Sequence, residues 1–137
     1  GDLSAKGWRT APPLSPGSAL AFAPSGVAPA DLPVLPRFDG GQLPALAMVR
    51  GMDGGTRLVL RLWPTELDVD ATRPVWVGSV VEERAVRHLG LLTFLHVSDS
   101  MNAPRDAVAA ALPPGVLVSR RGAGPAWDGQ VWLGATR

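Results

Sequence analysis

At 137 residues the chain is long enough for one hydrophobic core and too short for two. Thirteen Lys and Arg stand against 12 Asp and Glu, a net charge of +1, so no strong overall field recruits nucleic acid or an anionic membrane. The absence of cysteine excludes disulfides, thiolate metal sites and a Cys nucleophile together.

Sixteen Gly and 14 Pro beside 46% hydrophobic residues describe a loop-rich globular domain rather than a disordered one. No run of about 18 uncharged apolar residues is present to span a bilayer, and the N-terminus lacks the basic and apolar regions of a signal peptide. A start at Gly1 rather than Met suggests a segment cut from a longer protein.

Residues 1–44 read as an irregular, proline-rich arm. Eight prolines from Pro12 to Pro44 forbid a long helix, leaving a helical turn near Trp8 and a second one at Ala19, Leu20 and Phe22. Ser15 caps that second turn and Pro16 fits its first position. Residues 45–137 carry the sheet and the main helix of the same single domain. PALAMVR and TRLVLRLW form a β-hairpin across Gly51–Gly55, where Asp53-Gly54 favours a tight turn. In the second strand Leu58, Leu60 and Leu62 face one side, and Arg57, Val59, Arg61 and Trp63 the other.

Pro64 is expected to end that strand, and TELDVDATR to loop back to a third strand, Val75–Val81, in which Gly78 marks a bulge or a close backbone approach. HLGLLTFLHV, from His88, reads as a fourth strand, although its leucines also suit a short buried helix. Asn102 is the expected cap of the principal helix, about 103–112, with Pro104 in its first turn and Pro113 and Pro114 as its stop. GVLVSRR and QVWLGATR complete an α+β fold of five or six mainly antiparallel strands with one clear helix.

Candidate chemistry is sparse. His88 and His96, placed on one continuous strand, lie about 27 Å apart and cannot share a metal. Glu66, Asp68 and Asp70 alternate as oxygen ligands sometimes do, without the glycine and terminal glutamate of a calcium loop; a solvated hairpin edge is the favoured reading. No serine sits in a nucleophile elbow and no glycine loop suits a phosphate. No catalytic residue, metal site or cofactor is therefore assigned. Glu82, Glu83 and Arg84 are placed to pair with Arg57 or Arg61 on the neighbouring strand. With Trp63 and Trp76, which can face each other across adjacent strands, these residues form the candidate binding surface: Arg57, Arg61, Trp63, Trp76, Glu82, Glu83 and Arg84. A second cationic and aromatic patch, Arg120, Arg121, Trp127 and Trp132, suits a phosphorylated headgroup or a peptide.

LPVLPRFDGGQLPALAMVR, RLVLRLW, RPVWVGSVVEER and NAPRDAVAAALP, in that order, resemble the LssY C-terminal domain family from about Leu32 to Leu133, and Gly7-Trp8 fits its start. The resemblance implies the soluble tail of a bacterial inner-membrane protein whose membrane regions are like phosphatidic acid phosphatase type 2 or DedA-like proteins, on the cytoplasmic face. The phosphatase signatures themselves are missing from this sequence. The expected function is a non-catalytic accessory or interaction domain. Its expected partners are the parent membrane region in cis, another copy, a partner protein or a phospholipid headgroup, and not nucleic acid. The rival reading is a small hydrolase or ligand-processing domain that uses Glu82, Glu83 and a histidine.

Overall fold

The computed structural model describes residues 2–23, 26–120 and 122–134. Five antiparallel strands make a meander in which each strand pairs with its neighbour in sequence: β1 Arg9–Thr10, β2 Leu46–Met52, β3 Thr56–Val69, β4 Arg73–His88 and β5 Leu92–Val97. A separate two-stranded sheet, β6 Gly115–Ser119 with β7 Gln130–Gly134, lies apart from the meander. The helices are α1 Asp2–Ala5, α2 Pro16–Ala19 and α3 Asn102–Ala109. The α+β class and the mainly antiparallel sheet agree with the sequence reading. The first strand does not, because β1 comes from the arm that was read as irregular.

Local chemistry explains the turns. The β2–β3 hairpin closes through Asp53–Gly55, where Gly54 and Gly55 hold φ of 71° and 75°. Ser15 caps α2 by accepting from Ser18 N–H at 3.1 Å, and the Ser18 hydroxyl accepts from Ser15 N–H at 2.8 Å, a reciprocal pair that satisfies two donors.

The segment after Pro64 corrects the sequence reading. β3 does not stop at Pro64 but runs to Val69, with a register shift between Pro64 and Asp68, and the acidic stretch forms paired strand and turn rather than a loop. Its tip is Asp70-Ala71, both with positive φ of 55° and 57°. Proline is tolerated there because of strand parity. The Leu62 carbonyl accepts from Ala45 N–H on the β2 side, and Pro64, two residues on, faces the same way where β2 has already ended. β4 is correspondingly longer than Val75–Val81, and the fourth strand starts at Leu92 rather than His88.

Asn102 is not the cap of α3. Met101 precedes the helix with no side-chain cap, Asn102 is its first residue, and the Asn102 Oδ1 accepts instead from Asp128 N–H at 3.1 Å. The helix ends at Ala109, short of 112.

Both faces of the sheet are covered. On one, Leu58 and Leu60 join Trp8, Met48, Val108 and Ala111 in a core roofed by α1 and α3. On the other, Val59 packs with Val49, Val81, Ala11 and Val34, the last two from the arm. Burying each such aliphatic side chain contributes roughly 1.5–3 kcal/mol.

Candidate functional site

The odd-numbered face of β3 meets Glu83 of β4 in a buried group of three charges, and the arm closes over it. Arg57 Nη2 lies 2.7 Å from Glu83 Oε2, its Nε donates to the same oxygen at 2.9 Å, and Arg61 Nη2 lies 3.5 Å from Glu83 Oε1. The three side chains are 0, 6 and 4% exposed for Arg57, Glu83 and Arg61. Arg57 also donates to the carbonyls of Pro29 at 3.0 Å, Leu32, and Pro33 at 3.1 Å. Arg61 reaches the Leu35 carbonyl at 3.3 Å, and Trp63 Nε1 donates to the Gln42 carbonyl at 3.1 Å.

The physical reason lies in the arm. An irregular proline-rich segment forms few backbone hydrogen bonds of its own, so its buried carbonyls need donors from elsewhere. Arg57, Arg61 and Trp63 supply them, and Glu83 offsets part of the positive charge. Arg61 remains the least satisfied member: its Nε and Nη1, and the Oγ of its cross-strand neighbour Ser79, have no protein partner. Burial lowers the Arg61 pKa, Glu83 opposes that shift, and Arg37 and Arg57 add to it.

On the opposite face lies an apolar groove of about 850 Å³ between the sheet, α3 and the β6–β7 hairpin. Leu60, Leu62, Gly78 and Val80 form its floor, Val108 and Leu112 one wall, and Trp127, Trp132 and Leu133 the other, while Pro74 and Trp76 close the far end. A Cβ at Gly78 would meet Leu62 Cδ2 at 2.8 Å, so a larger residue there needs the Leu62 side chain to shift. The close approach read from the sequence is thus present at Gly78, and the strand irregularity sits at Pro64–Asp68 instead.

The hairpin wall is held by a polar lock. Arg105 donates to both carboxylate oxygens of Asp128 at 2.6 and 3.2 Å, to the Gln130 carbonyl at 3.1 Å, and to Asp106 at 2.8 Å. The hydrogen bond to Asp128 raises the Arg105 pKa, and the Arg105 guanidinium in turn holds the Asp128 carboxyl below the usual carboxylate range. Met101 N–H donates to the Ala126 carbonyl at 2.9 Å, and Trp127 Nε1 to the Gln130 carbonyl at 2.9 Å. Within the hairpin, Gly115 and Gly134 pair in register, and the Trp132 ring occupies the space that a side chain on either would need.

The seven residues of the expected binding surface do not share one exposed face. Arg57, Arg61, Trp63 and Glu83 are buried beneath the arm. Strand alternation turns Trp76, Glu82 and Arg84 to the opposite side, as their partners Pro64, Leu58 and Thr56 require. Trp63 and Trp76 therefore do not face each other: Trp63 is 5% exposed and opposite Val77, whereas Trp76 is 46% exposed and opposite Pro64. Trp76 alone of the seven lines the groove.

The alternation also separates Glu82 from Glu83. His88 and His96 lie on neighbouring strands rather than one, four register positions or about 13 Å apart. The His88 ring meets Phe94 edge-on, with centroids 5.2 Å apart. Asp70 is engaged by Arg73 at 2.6 Å and Thr72 at 2.8 Å, and the Arg73 hydrogen bond is the main cause of its lowered pKa. No cluster of three metal-type side chains occurs among the described residues. In the second patch, Trp127 and Trp132 line the groove, Arg120 is exposed, and Arg121 lies outside the described residues. The groove as a whole is not legible in the sequence, whose traces of it are Gly78 and the tryptophans Trp127 and Trp132.

A family model described as LssY C-terminus matches residues 2–121. The chain belongs to the LssY C-terminus family. The match takes in the whole arm, so the segment that Arg57 and Arg61 hold is part of this LssY C-terminus domain and not an appendage to it. No curated protein and no solved structure matched the chain.

Proposed function

We propose that this LssY C-terminus domain is a non-catalytic accessory domain that binds an apolar polypeptide segment of its parent protein in the groove between the sheet, α3 and the β6–β7 hairpin. One contrast carries this reading: the Arg57–Glu83–Arg61 cluster is buried and engaged in holding the arm, while the large open concavity is apolar. Trp76, Trp127, Trp132, Met101 and Arg105 line the groove, and aromatic residues, Met and Arg are the types enriched at protein interfaces. The volume lies within the range of formed binding pockets.

The parent, on this reading, is a bacterial inner-membrane protein with regions like a type 2 phosphatidic acid phosphatase or a DedA-like protein, and any phosphoester chemistry belongs to those regions. No helix among the described residues is long and apolar enough to cross a membrane. The hydrolase alternative has no support in the arrangement, because Glu82 and Glu83 face opposite ways.

The test is co-purification of the chain with the separately expressed remainder of the full-length protein. Trp76→Asp, at a half-exposed rim position, is expected to abolish the association while leaving the urea midpoint of the chain unchanged. Equal recovery of wild type and variant refutes the groove. Phosphoester turnover by the purified chain, lost in Glu82→Gln or His96→Ala, refutes the accessory reading.

A further inference from the structure

Thr56–Arg84 is the last register pair that β3 shares with β4, and beyond it β4 and β5 continue alone. The pairs from Ala85–Leu95 to His88–Leu92 carry this two-stranded ribbon about 13 Å past the start of β3. At its tip, Leu91 N–H donates to the His88 carbonyl at 3.0 Å, and the central residues Leu89 and Gly90 have φ of 52° and 69°. Two successive left-handed residues define a type I′ turn, whose first central position favours Asn, Asp or Gly. A leucine there is conformationally disfavoured, because its side chain crowds the backbone when φ is positive.

Leu89 is also 93% exposed, so it is strained and hydrated at once and contributes nothing to either core. Its apolar neighbours are exposed as well: Leu91 is 62%, Leu92 52% and Phe94 48% exposed. The 3-10 turn Leu20–Phe22 lies against β5, and its Leu20 is 72% exposed. A net charge of +1 for the whole chain hides a local excess. Residues 84–97 contain Arg84, Arg87, His88 and His96 and no Asp or Glu. The nearest acids in sequence are Glu83, buried against two arginines, and Glu82 and Asp99, both at the end of the ribbon away from its tip, where Ser98 N–H donates to the Glu82 carbonyl; Asp53 lies in the β2–β3 turn.

A protein partner would need a cavity shaped to this convex tip, whereas a bilayer yields around it. Apolar residues at the apex with cations behind them match the layering of an anionic membrane surface, hydrocarbon beneath phosphate. We infer that the β4–β5 hairpin is a membrane-docking element: Leu89, Leu91 and Leu92 enter the headgroup and acyl boundary of an anionic bilayer, and Arg84 and Arg87 pair with lipid phosphates. This contact is independent of the groove and stands or falls separately from it.

Flotation of the purified chain tests it, with vesicles of phosphatidylcholine alone and of phosphatidylcholine and phosphatidylglycerol in equal parts. The wild type is expected to partition at least about tenfold more strongly to the anionic vesicles, and loss of either Arg84 or Arg87 to Gln to weaken that by about fivefold. Leu89→Asn suits the turn, so it is expected to unfold at an equal or higher urea concentration yet bind the anionic vesicles at least about fivefold more weakly. Equal binding by Leu89→Asn and wild type overturns the inference, as does equal or absent binding to both vesicle types. So does self-association in solution that Leu89→Asn abolishes while vesicle binding is unchanged, since the tip would then be a protein contact.

Discussion

Glu83→Gln should be the most damaging conservative substitution in this domain. The Glu83 carboxylate lies 2.7 Å from Arg57 and 3.5 Å from Arg61, and all three side chains are almost wholly withdrawn from water. A charge pair about 3 Å apart gains roughly 5 kcal/mol at an effective dielectric of about 20, before the desolvation of both ions is subtracted. Removing only the carboxylate leaves the desolvation of the guanidiniums uncompensated and sets two buried cations against each other, a change that costs about 3–5 kcal/mol in buried pairs. Gln retains one acceptor for Arg57 Nε, so the lower figure, about 3 kcal/mol, is expected. Against a total stability of about 7–15 kcal/mol for a chain of this size, the urea midpoint should fall by about 2 M.

Arg61→Met provides the internal control. It removes the longer contact to Glu83 and the 3.3 Å donor to the carbonyl of half-exposed Leu35 but relieves two unpaired N–H groups, so alone it should cost less than about 1 kcal/mol. In the Glu83→Gln background it should restore about 1–2 kcal/mol by removing one of the two opposed cations. Urea titration followed by tryptophan fluorescence reads all four proteins of the cycle, with Trp63 beside the cluster as one reporter. A Glu83→Gln protein within about 1 kcal/mol of wild type, or an Arg61→Met protein equally destabilised, would show that the carboxylate does not compensate these arginines.

Other consequences follow from single contacts. Gly115→Ala places a methyl group against the Trp132 ring and the Leu133 carbonyl, and should destabilise the β6–β7 hairpin by roughly 1–3 kcal/mol in the same titration. Gly124→Ala, whose Cβ meets nothing within 4 Å, should stay within about 0.5 kcal/mol of wild type. The Asp128 carboxyl is held below its ordinary value of 3.8 by Arg105, so its contribution is fully present above that pH and is lost as pH falls through the lowered value. Acid titration should therefore loosen the contact between α3 and the hairpin below about pH 4, seen as a Trp127 fluorescence change that is already present at neutral pH in Asp128→Asn. Arg57→Met should release the arm, leaving the Pro29, Leu32 and Pro33 carbonyls without their donor, and limited proteolysis should then cut within residues 28–42 while wild type resists.

Short-range chemistry was legible in the sequence. The Asp53-Gly54 turn, the capped turn at Ser15, the proline-limited helix ending before Pro113, and the alternation of Leu58, Leu60 and Leu62 against Arg57, Arg61 and Trp63 depend on φ, ψ and periodicity within a few residues. The pairing of Glu83 with Arg57 and Arg61 also followed from strand adjacency. Tertiary structure decided whether that charged face was surface or core. The deciding groups are arm carbonyls 24–28 residues away, and a carbonyl in need of a donor leaves no mark on composition or hydropathy. It also decided that Pro64 continues a strand, because what matters is whether a neighbour waits for the missing N–H, and β2 has ended there. The groove belongs to the same class: its floor comes from β3 and β4 and its walls from the α3 and β6–β7 segments, and only their packing makes a concavity of these side chains.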